Sequence, residues 1–424
     1  MKRLVMAATV AAMVGNAAQA ETVAVTADRL LDVATGRYVE KPLVVITDGR
    51  VTSVGNLAST TLPAGTRTID LGATTLLPGL IDMHTHLASS PRYGGYSSLR
   101  FTDSFWTVIA VRNGEETLKA GFTTVRNVGS PNYADVALKQ AIEEGLAQGP
   151  RIVPAGWSFG STGGHCDETW LPPSLDAKAP LNADSPDEAR RSVRTLKKYG
   201  AQVIKICATG GVFDAGASVG AQQMTFEEMK AVADEAHMDG MKVAAHAHGA
   251  EGIKTAIRAG IDTIEHASLA DDEGIRLAKE KGAWFVMDIY NTEYTQAEGK
   301  KNGVEEISLR KDAEIAEAQR QTFARALKAG VKMAYGTDTG VYPHGENAKQ
   351  FAIMVRYGAT PLQAIQTATL NAAQALGWEK DVGQIKAGAW GDLIAVAGDP
   401  LKDVTVLEKP VAVIKGGVVV KGPN

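Results

Sequence analysis

Cysteine is scarce in this sequence, since the 424 residues include only Cys166 and Cys207. Two cysteines exclude a disulfide scaffold and leave room for at most one bridge. They could form that bridge, or each could be a small buried hydrophobic residue, which is common for free cysteine. The residues by themselves leave both alternatives open.

An excess of basic charge is also lacking. The chain has 48 acidic and 44 basic residues, so its formal net charge is −4. Without a basic surface field, nucleic acid is not an expected partner. After the N-terminal segment no apolar run is long enough to span a bilayer. We therefore expect no membrane partner for the mature chain.

The N-terminal segment is basic and then apolar. Lys-Arg follows Met1, an apolar stretch runs from Leu4 to about Val14, and Ala18-Gln-Ala stands just before Glu21. This order is typical of a secretory signal peptide and its cleavage site. We predict a signal peptide over residues 1–20 and export to the periplasm or beyond the cell. The alternative is a buried N-terminal helix.

Both ends of the mature chain have the pattern of small β structure. Residues 21–72 and 377–424 contain short apolar runs separated by Gly, Asp and Asn. Such runs are typical of strands joined by tight turns. We predict one small β-sandwich domain assembled from these two segments.

Residues 73–376 alternate apolar runs with amphipathic stretches, among them 186–199, 225–239 and 313–329. Thr225 is placed to cap the helix that follows it. Eight alternations predict an α/β fold of the (β/α)8 TIM-barrel type. The eight runs are Thr75–Met83, Thr123–Val128, Ile152–Ala155, Val203–Cys207, Val243–His246, Thr263–His266, Trp284–Ile289 and Lys332–Gly336.

Histidines gather at the ends of these runs. His84 and His86 end the first run, His246 and His248 the fifth, and His266 the sixth. Residues i and i+2 of a strand project to the same side, and the carboxyl ends of barrel strands carry the chemistry in this fold. Imidazoles brought to one point suit a divalent metal. Taken singly, each histidine would more simply be a hydrogen-bonded polar residue.

Two other residues fit a metal site at this face. Asp338 follows the eighth run, and Lys205 lies within the apolar fourth run. An ammonium in such surroundings is desolvated, which favours the neutral amine. A neutral amine can react with carbon dioxide to give an anionic carbamate able to bridge two metals. The alternative for Lys205 is a side chain that extends along the strand edge into water.

These residues carry a family resemblance over essentially the whole mature chain. Leu77-Pro-Gly-Leu-Ile-Asp-Met-His-Thr-His, with Lys205, His246, His266 and Gly336-Thr-Asp338, resembles the amidohydrolase superfamily. Lys205-Ile-Cys-Ala-Thr-Gly-Gly-Val, Gln223-Met-Thr-Phe-Glu-Glu and Ala245-His-Ala-His-Gly resemble one branch of it. That branch contains Xaa-Pro dipeptidase-like enzymes, N-acyl-amino-acid carboxypeptidases and ochratoxinase-type hydrolases.

The resemblance implies a binuclear metal site, usually of zinc. His84, His86 and Asp338 would hold one ion and His246 and His266 the other, with carboxylated Lys205 between them. Asp338 would also accept the proton of the attacking water and pass it to the leaving nitrogen. His246 and His248 compete for one ligand position, and the branch pattern favours His246. His248 would then contact the substrate or stabilise the oxyanion. Relatives in this branch are often homo-oligomers, octamers among them.

The implied reaction is hydrolysis of the amide bond before a C-terminal amino acid in small molecules, either dipeptides or N-acyl amino acids. An ochratoxin-like amide to phenylalanine belongs to the same set. His165, in a loop after the third run, is the candidate partner for the substrate carboxylate, and structuring of its own loop is the alternative. Tyr290 is a candidate for an aromatic pocket together with Trp157, Phe159 and Tyr342, for which core packing is the alternative. The seventh run ends Met287-Asp-Ile-Tyr290, where relatives have proline.

Two other functions compete with this one. A cyclic amidase or aminohydrolase of the imidazolonepropionase type commonly uses one metal and lacks a lysine on strand four, so Lys205 argues against it. A non-catalytic exported binding protein is the third class, and a complete set of six ligands argues against that.

Overall fold

The computed structural model describes residues 21–57, 60–62, 65–216 and 218–422. The predicted signal peptide over residues 1–20 lies outside the described residues. Short strands form the first part of the described chain. They are β1 (Thr22–Thr26), β2 (Arg29–Asp32), β3 (Arg37–Glu40), β4 (Pro42–Thr47), β5 (Arg50–Asn56), β6 (Arg67–Asp70) and β7 (Thr75–Pro78).

Eight strands then alternate with helices. The strands are β8 (Leu80–Thr85), β9 (Phe122–Asn127), β10 (Arg151–Pro154), β11 (Val203–Cys207), β12 (Lys242–Gly249), β13 (Thr263–Leu269), β14 (Trp284–Val286) and β15 (Lys332–Ala334). The helices are α1 (Asp103–Lys119), α2 (Ala134–Glu143), α3 (Pro186–Lys198), α4 (Phe226–Met238), α5 (Ala250–Ala259), α6 (Asp272–Lys281), α7 (Asn291–Glu298), α8 (Glu306–Ala329), α9 (Gln350–Arg356), α10 (Pro361–Gln366) and α11 (Ala372–Leu376). Three strands complete the chain, β16 (Leu393–Val396), β17 (Ala412–Lys415) and β18 (Val418–Lys421).

The eight middle strands form a parallel barrel, which confirms the predicted fold. Pairing runs through β10-β9-β8 and through β11-β12-β13-β14-β15. Backbone hydrogen bonds join these two groups, from Gln202 N to Pro154 O at 2.7 Å and from Met83 N to Tyr335 O at 2.8 Å. All five residues of β11 are buried, because helices cover the outer face of a parallel barrel while side chains fill the inside.

Helix α4 begins as the sequence predicts. Thr225 accepts a hydrogen bond from the backbone N–H of Glu228 at 3.2 Å, and the Glu228 carboxylate accepts one from the Thr225 N–H at 2.8 Å. This capping box satisfies two backbone donors that a helix start leaves unpaired. The predicted stretch 313–329 falls within the longer helix α8. No helix in the described part of the chain has the length and apolar character that a membrane crossing requires.

The remaining strands form a sandwich of two sheets, in the orders β5-β4-β1-β6 and β18-β17-β16-β7-β2-β3. The second sheet combines strands from both ends of the chain, as expected. Buried side chains such as Val25, Val44, Leu76 and Ile414 fill the space between the sheets.

The single strand predicted over 75–83 is wrong, because that run contains two strands. β7 pairs with β16 and β2 in the sandwich, whereas β8 pairs with β9 in the barrel. β7 thus places residues 75–78 of the predicted barrel segment in the sandwich sheet. The chain passes between the two at Gly79, where a Cβ would lie 2.1 Å from Thr123 Oγ1. The run predicted over 284–289 is also shorter in the structure, since β14 ends at Val286.

Candidate active site

The first group of candidate ligands lies where β8 and the residues after β15 meet. His84 Nε2 lies 3.3 Å and His86 Nε2 3.2 Å from the same oxygen of Asp338. Although burial favours the neutral acid, the two imidazoles hold the pKa of Asp338 well below its usual value. Asp338 is therefore an ionised carboxylate beside two nitrogens, and these three groups suit one divalent metal.

A second group adjoins the first. Ligand nitrogens of His246, His248 and His266 lie within 4.8 Å of one another. The ring of His266 is 5.0 Å from the ring of His84, centroid to centroid. Burial, with the neighbouring imidazoles, holds the pKa values of His246 and His248 well below the ordinary value. Both rings are thus neutral, which is the form that binds metal.

The backbone is unusual where these ligands are presented. His266, Ala267 and Asp338 have φ of 68°, 49° and 59°. Non-glycine residues in the left-handed region cost about 1–3 kcal/mol each. The turn at His266 interrupts the alternation of side chains between the two faces of β13. Glu265 and His266 therefore both reach the barrel interior.

Hydrogen bonds fix how each histidine faces the site. Nδ1 of His84 lies 3.0 Å from Glu265 Oε2, and Nδ1 of His266 lies 2.8 Å from Asp288 Oδ1. His86 Nδ1 lies 3.2 Å from the carbonyl of Gly129. These oxygens accept from Nδ1–H, so Nε2 is the nitrogen of each ring that is turned towards the site. The arrangement leaves three Nε2 atoms available as ligands.

Lys205 lies between these groups along the strand order and is 3% exposed. Burial lowers its pKa to about 8, although the carboxylates of Glu265 and Asp338 oppose the shift. The lowered pKa gives Lys205 a larger neutral fraction near neutral pH than a free lysine has, and carbamate formation needs the neutral amine. His246 Nε2 is also buried without a hydrogen-bond partner. A buried lone pair with no donor beside it fits a metal ion, so the residues present fit the binuclear centre expected from the sequence.

The candidate ligands border a cavity of about 380 Å³. His165 is part of its wall. The His165 ring stacks on that of His246 at 4.0 Å, and its Nδ1 lies 3.3 Å from Asp214 Oδ2. Other wall residues come from several loops and from α8, and include Trp157, Phe213, Asn291, Asp312, Ile315 and Gln319.

Of the four aromatic residues proposed for a side-chain pocket, Trp157 lies in the cavity wall. Phe159 and Tyr342 are fully buried core residues. The structure does not bring Tyr290 to the wall, because its ring packs edge-on against Tyr342 at 5.0 Å. β14 ends before this segment and α7 begins at Asn291, so Tyr290 precedes a helix and does not end a strand.

The two cysteines form a disulfide bond, which resolves the alternatives that the sequence left open. Cys207 ends β11 two residues after Lys205, and Cys166 follows His165 in the loop after β10. Both cysteines border the cavity. The bridge therefore ties the loop that carries His165 to the strand that carries Lys205.

Several polar residues that hold the ligands escaped sequence reasoning. Glu265 accepts from His84, Arg126 pairs with Glu265 at 2.7 Å, and Asp288 accepts from His266. Asp82 accepts from Thr337 Oγ1 at 2.6 Å and so joins β8 to the segment carrying Asp338. Strand alternation assigns Glu265 to the face opposite His266, so only the backbone turn could have revealed it. For Asp288 the sequence did offer an indication, because the seventh run ends Met287-Asp-Ile-Tyr290, where relatives have proline.

The structure combines a parallel barrel with a β-sandwich, and histidines, a lysine and an aspartate lie at the carboxyl-terminal face of the barrel. This fold and this set of residues are typical of TIM-barrel enzymes whose sites suit divalent metals. The sequence matches the Amidohydrolase family over residues 75–422, and the chain belongs to that family. Its members act on amide and related bonds, so the protein is a hydrolase of amide bonds.

Individual relatives agree with this assignment. Ochratoxinase from Aspergillus niger is 35% identical over 371 residues, which cover 82% of this chain and 76% of the relative. A crystal structure of a Xaa-Pro dipeptidase with bound methionine in the active site superposes with a TM-score of 0.87 at 36% identity, covering 95% of this chain and all of the other. Imidazolonepropionase from Cutibacterium acnes is 27% identical, covering 84% of this chain and 83% of the relative.

Proposed function

We propose that this protein hydrolyses the amide bond before a C-terminal amino acid in dipeptides or N-acyl amino acids and releases that amino acid. The observation that carries the proposal is the pair of adjoining ligand groups, His84, His86 and Asp338 in one and His246, His248 and His266 in the other, together with the buried Lys205. His84, His86 and Asp338 would hold one divalent ion, His246 and His266 the other, and the Lys205 carbamate would bridge them. Zinc suits this set of nitrogen and oxygen ligands.

The reaction needs a base and a stabilised oxyanion. Bound ions would lower the pKa of water and polarise the scissile carbonyl. Asp338 is ionised, so its carboxylate can accept a proton from water and deliver it to the leaving nitrogen. His248 can donate from Nε2 to the oxyanion when Ser268 Oγ, 2.7 Å away, donates to Nδ1.

His165 is our candidate for binding the substrate carboxylate. Asp214 Oδ2 lies 3.3 Å from His165 Nδ1, and Oδ1 of the same carboxylate accepts from Lys311 Nζ at 2.9 Å. His165 is therefore held at the wall of the cavity by a carboxylate that is itself anchored to α8. A bound amino acid in the related Xaa-Pro dipeptidase supports a site for a free amino-acid product here.

The test uses the mature chain prepared with zinc and bicarbonate. Wild type and Lys205→Ala are incubated with dipeptides, N-acyl amino acids, ochratoxin A and cyclic amides, and the products are read by mass spectrometry. We expect free amino acids from wild type, none from Lys205→Ala, and partial recovery when a short carboxylate such as propionate replaces the carbamate. Lys332→Ala, on the exposed start of β15, is the matched control and should remain active.

Two results would change the assignment. Ring opening without release of free amino acids would favour the imidazolonepropionase type, whose similarity to this chain keeps it as the second candidate. Equal activity of Lys205→Ala and wild type would overturn the bridging role of the lysine.

We also propose that the protein is exported. The N-terminal segment supports this, and the Cys166–Cys207 disulfide is the kind of bond that persists in an oxidising compartment. Fractionation of the native host, with N-terminal sequencing of the mature protein, tests it. A cytoplasmic chain that retains Met1 would contradict the proposal.

A further inference from the structure

We propose that Arg126 and Glu265 are positioning residues, which hold His84 in the orientation and tautomer that bind metal. The inference rests on the proposed function only in placing a metal at His84. Both residues lie in the barrel interior, with Arg126 1% and Glu265 0% exposed. Neither contacts the cavity where the reaction would occur, so they would act through His84.

A closed ring of hydrogen bonds fixes the Glu265 carboxylate. Arg126 donates from one terminal nitrogen to Glu265 Oε1 at 2.7 Å and from the other to Thr263 Oγ1 at 2.8 Å. The Thr263 hydroxyl in turn donates to the same Oε1 of Glu265. The remaining oxygen, Oε2, is left to accept from His84 Nδ1 at 3.0 Å. The ring therefore aims one carboxylate oxygen at the imidazole.

Arg126 also holds the strand that carries His84. Its Nε donates to the carbonyl of Met83 at 2.6 Å, and Met83 directly precedes His84. One guanidinium thus fixes both the backbone of β8 next to the ligand and the carboxylate that orients the ligand's ring. Strands β8, β9 and β13 are joined through the barrel interior by this one side chain.

The charge of Glu265 matters as well as its shape. The Arg126 guanidinium lies 2.7 Å from Oε1 of Glu265, and a carboxylate paired in this way with a guanidinium is ionised. An ionised carboxylate only accepts, so His84 must carry its hydrogen on Nδ1. A glutamine at this position has one donor end and one acceptor end. It cannot accept from both Arg126 and His84. Either Arg126 loses its acceptor, or the amide N–H faces Nδ1 of His84, which then accepts and no longer carries the hydrogen.

A second cavity borders Arg126. It has a volume of about 200 Å³, and its wall includes Arg126, Val153, Val203, Leu376 and Trp378. A small guanidinium ion could therefore reach the space that an Arg126→Ala substitution opens. Rescue by such an ion would separate the chemical role of the guanidinium from the folding of the variant.

The experiment measures zinc affinity by competition with a chromophoric chelator, so its result does not depend on any substrate. We expect Glu265→Gln to bind zinc about 10- to 100-fold more weakly than wild type, the usual cost of losing a group that orients a metal-bound histidine. The absorption spectrum of the cobalt-substituted protein should change in the same variant. Glu235→Gln is the matched control, because Glu235 is a buried partner of Arg194 away from the site, and its zinc affinity should equal that of wild type.

For Arg126→Ala we expect a similar loss of zinc affinity and its partial recovery with ethylguanidinium, which should have no effect on wild type or Glu265→Gln. Wild-type zinc affinity and an unchanged cobalt spectrum in Glu265→Gln would overturn the role of Glu265. Wild-type affinity in Arg126→Ala without added guanidinium would overturn that of Arg126. If Arg126→Ala does not fold, Glu265→Gln decides the proposal. If wild type cleaves no amide but the variants still bind zinc more weakly than wild type, the positioning role holds and the proposed function fails.

Discussion

The disulfide between Cys166 and Cys207 should contribute strongly to stability. It joins residues 41 positions apart, which encloses α3, β11 and the part of the loop between Cys166 and α3. In the chain-entropy treatment, closing a loop of this length removes about 13 cal/mol/K from the unfolded chain, or about 4 kcal/mol at 25 °C. Cys207 is buried, so replacement of both cysteines by alanine removes the bond without burying a hydroxyl.

We expect the Cys166→Ala, Cys207→Ala variant to have a free energy of unfolding lower than that of wild type by about 4 kcal/mol. Urea unfolding at pH 7, monitored by tryptophan fluorescence with and without reductant, measures this. Reductant should lower the free energy of unfolding of wild type to nearly that of the variant, and it should leave the value of the variant unchanged. If oxidised and reduced wild type unfold at the same urea concentration, with complete reduction checked by thiol titration, the reasoning is refuted.

Two further predictions concern packing and pH. Gly336→Ala would place a Cβ 2.2 Å from Val286 Cγ1 and 2.9 Å from His84 Cβ. We therefore expect overpacking to lower the free energy of unfolding by about 1–3 kcal/mol and to weaken zinc binding. Thermal unfolding and zinc titration measure these two effects. Gly216→Ala has open space around its Cβ and should match wild type. Burial and Arg151 lower the pKa of Lys415 to about 8, against 10.5 ordinarily. Between these values the unfolded chain holds a proton that the folded chain has lost, so stability should rise with pH from about 8 to about 10. Lys205 also has a pKa of about 8, so Lys415→Met should lessen that rise without abolishing it, and urea unfolding across this pH range would contradict the prediction if the two proteins changed alike.

Local sequence patterns specify much of the fold. The apolar run of β11 and the Thr225 cap of α4 appear in the structure as expected, because strand burial and helix capping depend on residues close in sequence. The pairing of His84 and His86 on one side of β8 follows from strand alternation in the same way. A glycine that permits close approach is harder to interpret, and Gly79 divides an apolar run that looks continuous in the sequence.

The residues that support the candidate ligands could not be predicted from local patterns. Arg126, Thr263 and Glu265 come together only because β9 and β13 face each other across the barrel interior. Glu265 and His266 point the same way only because the backbone turns into the left-handed region at His266. Neither fact is encoded in the spacing of residues along the chain.

The sequence by itself therefore determined the barrel, the two-ended sandwich and the types of residue at the candidate metal centre. These features depend on periodicity and on the order of strands. Tertiary structure alone decided that the cysteines are paired, that Tyr290 packs against Tyr342, and that the Arg126–Glu265 ion pair lies against His84. Those outcomes depend on distances between residues far apart in sequence, which are set when the closed barrel fixes the separation of its strands.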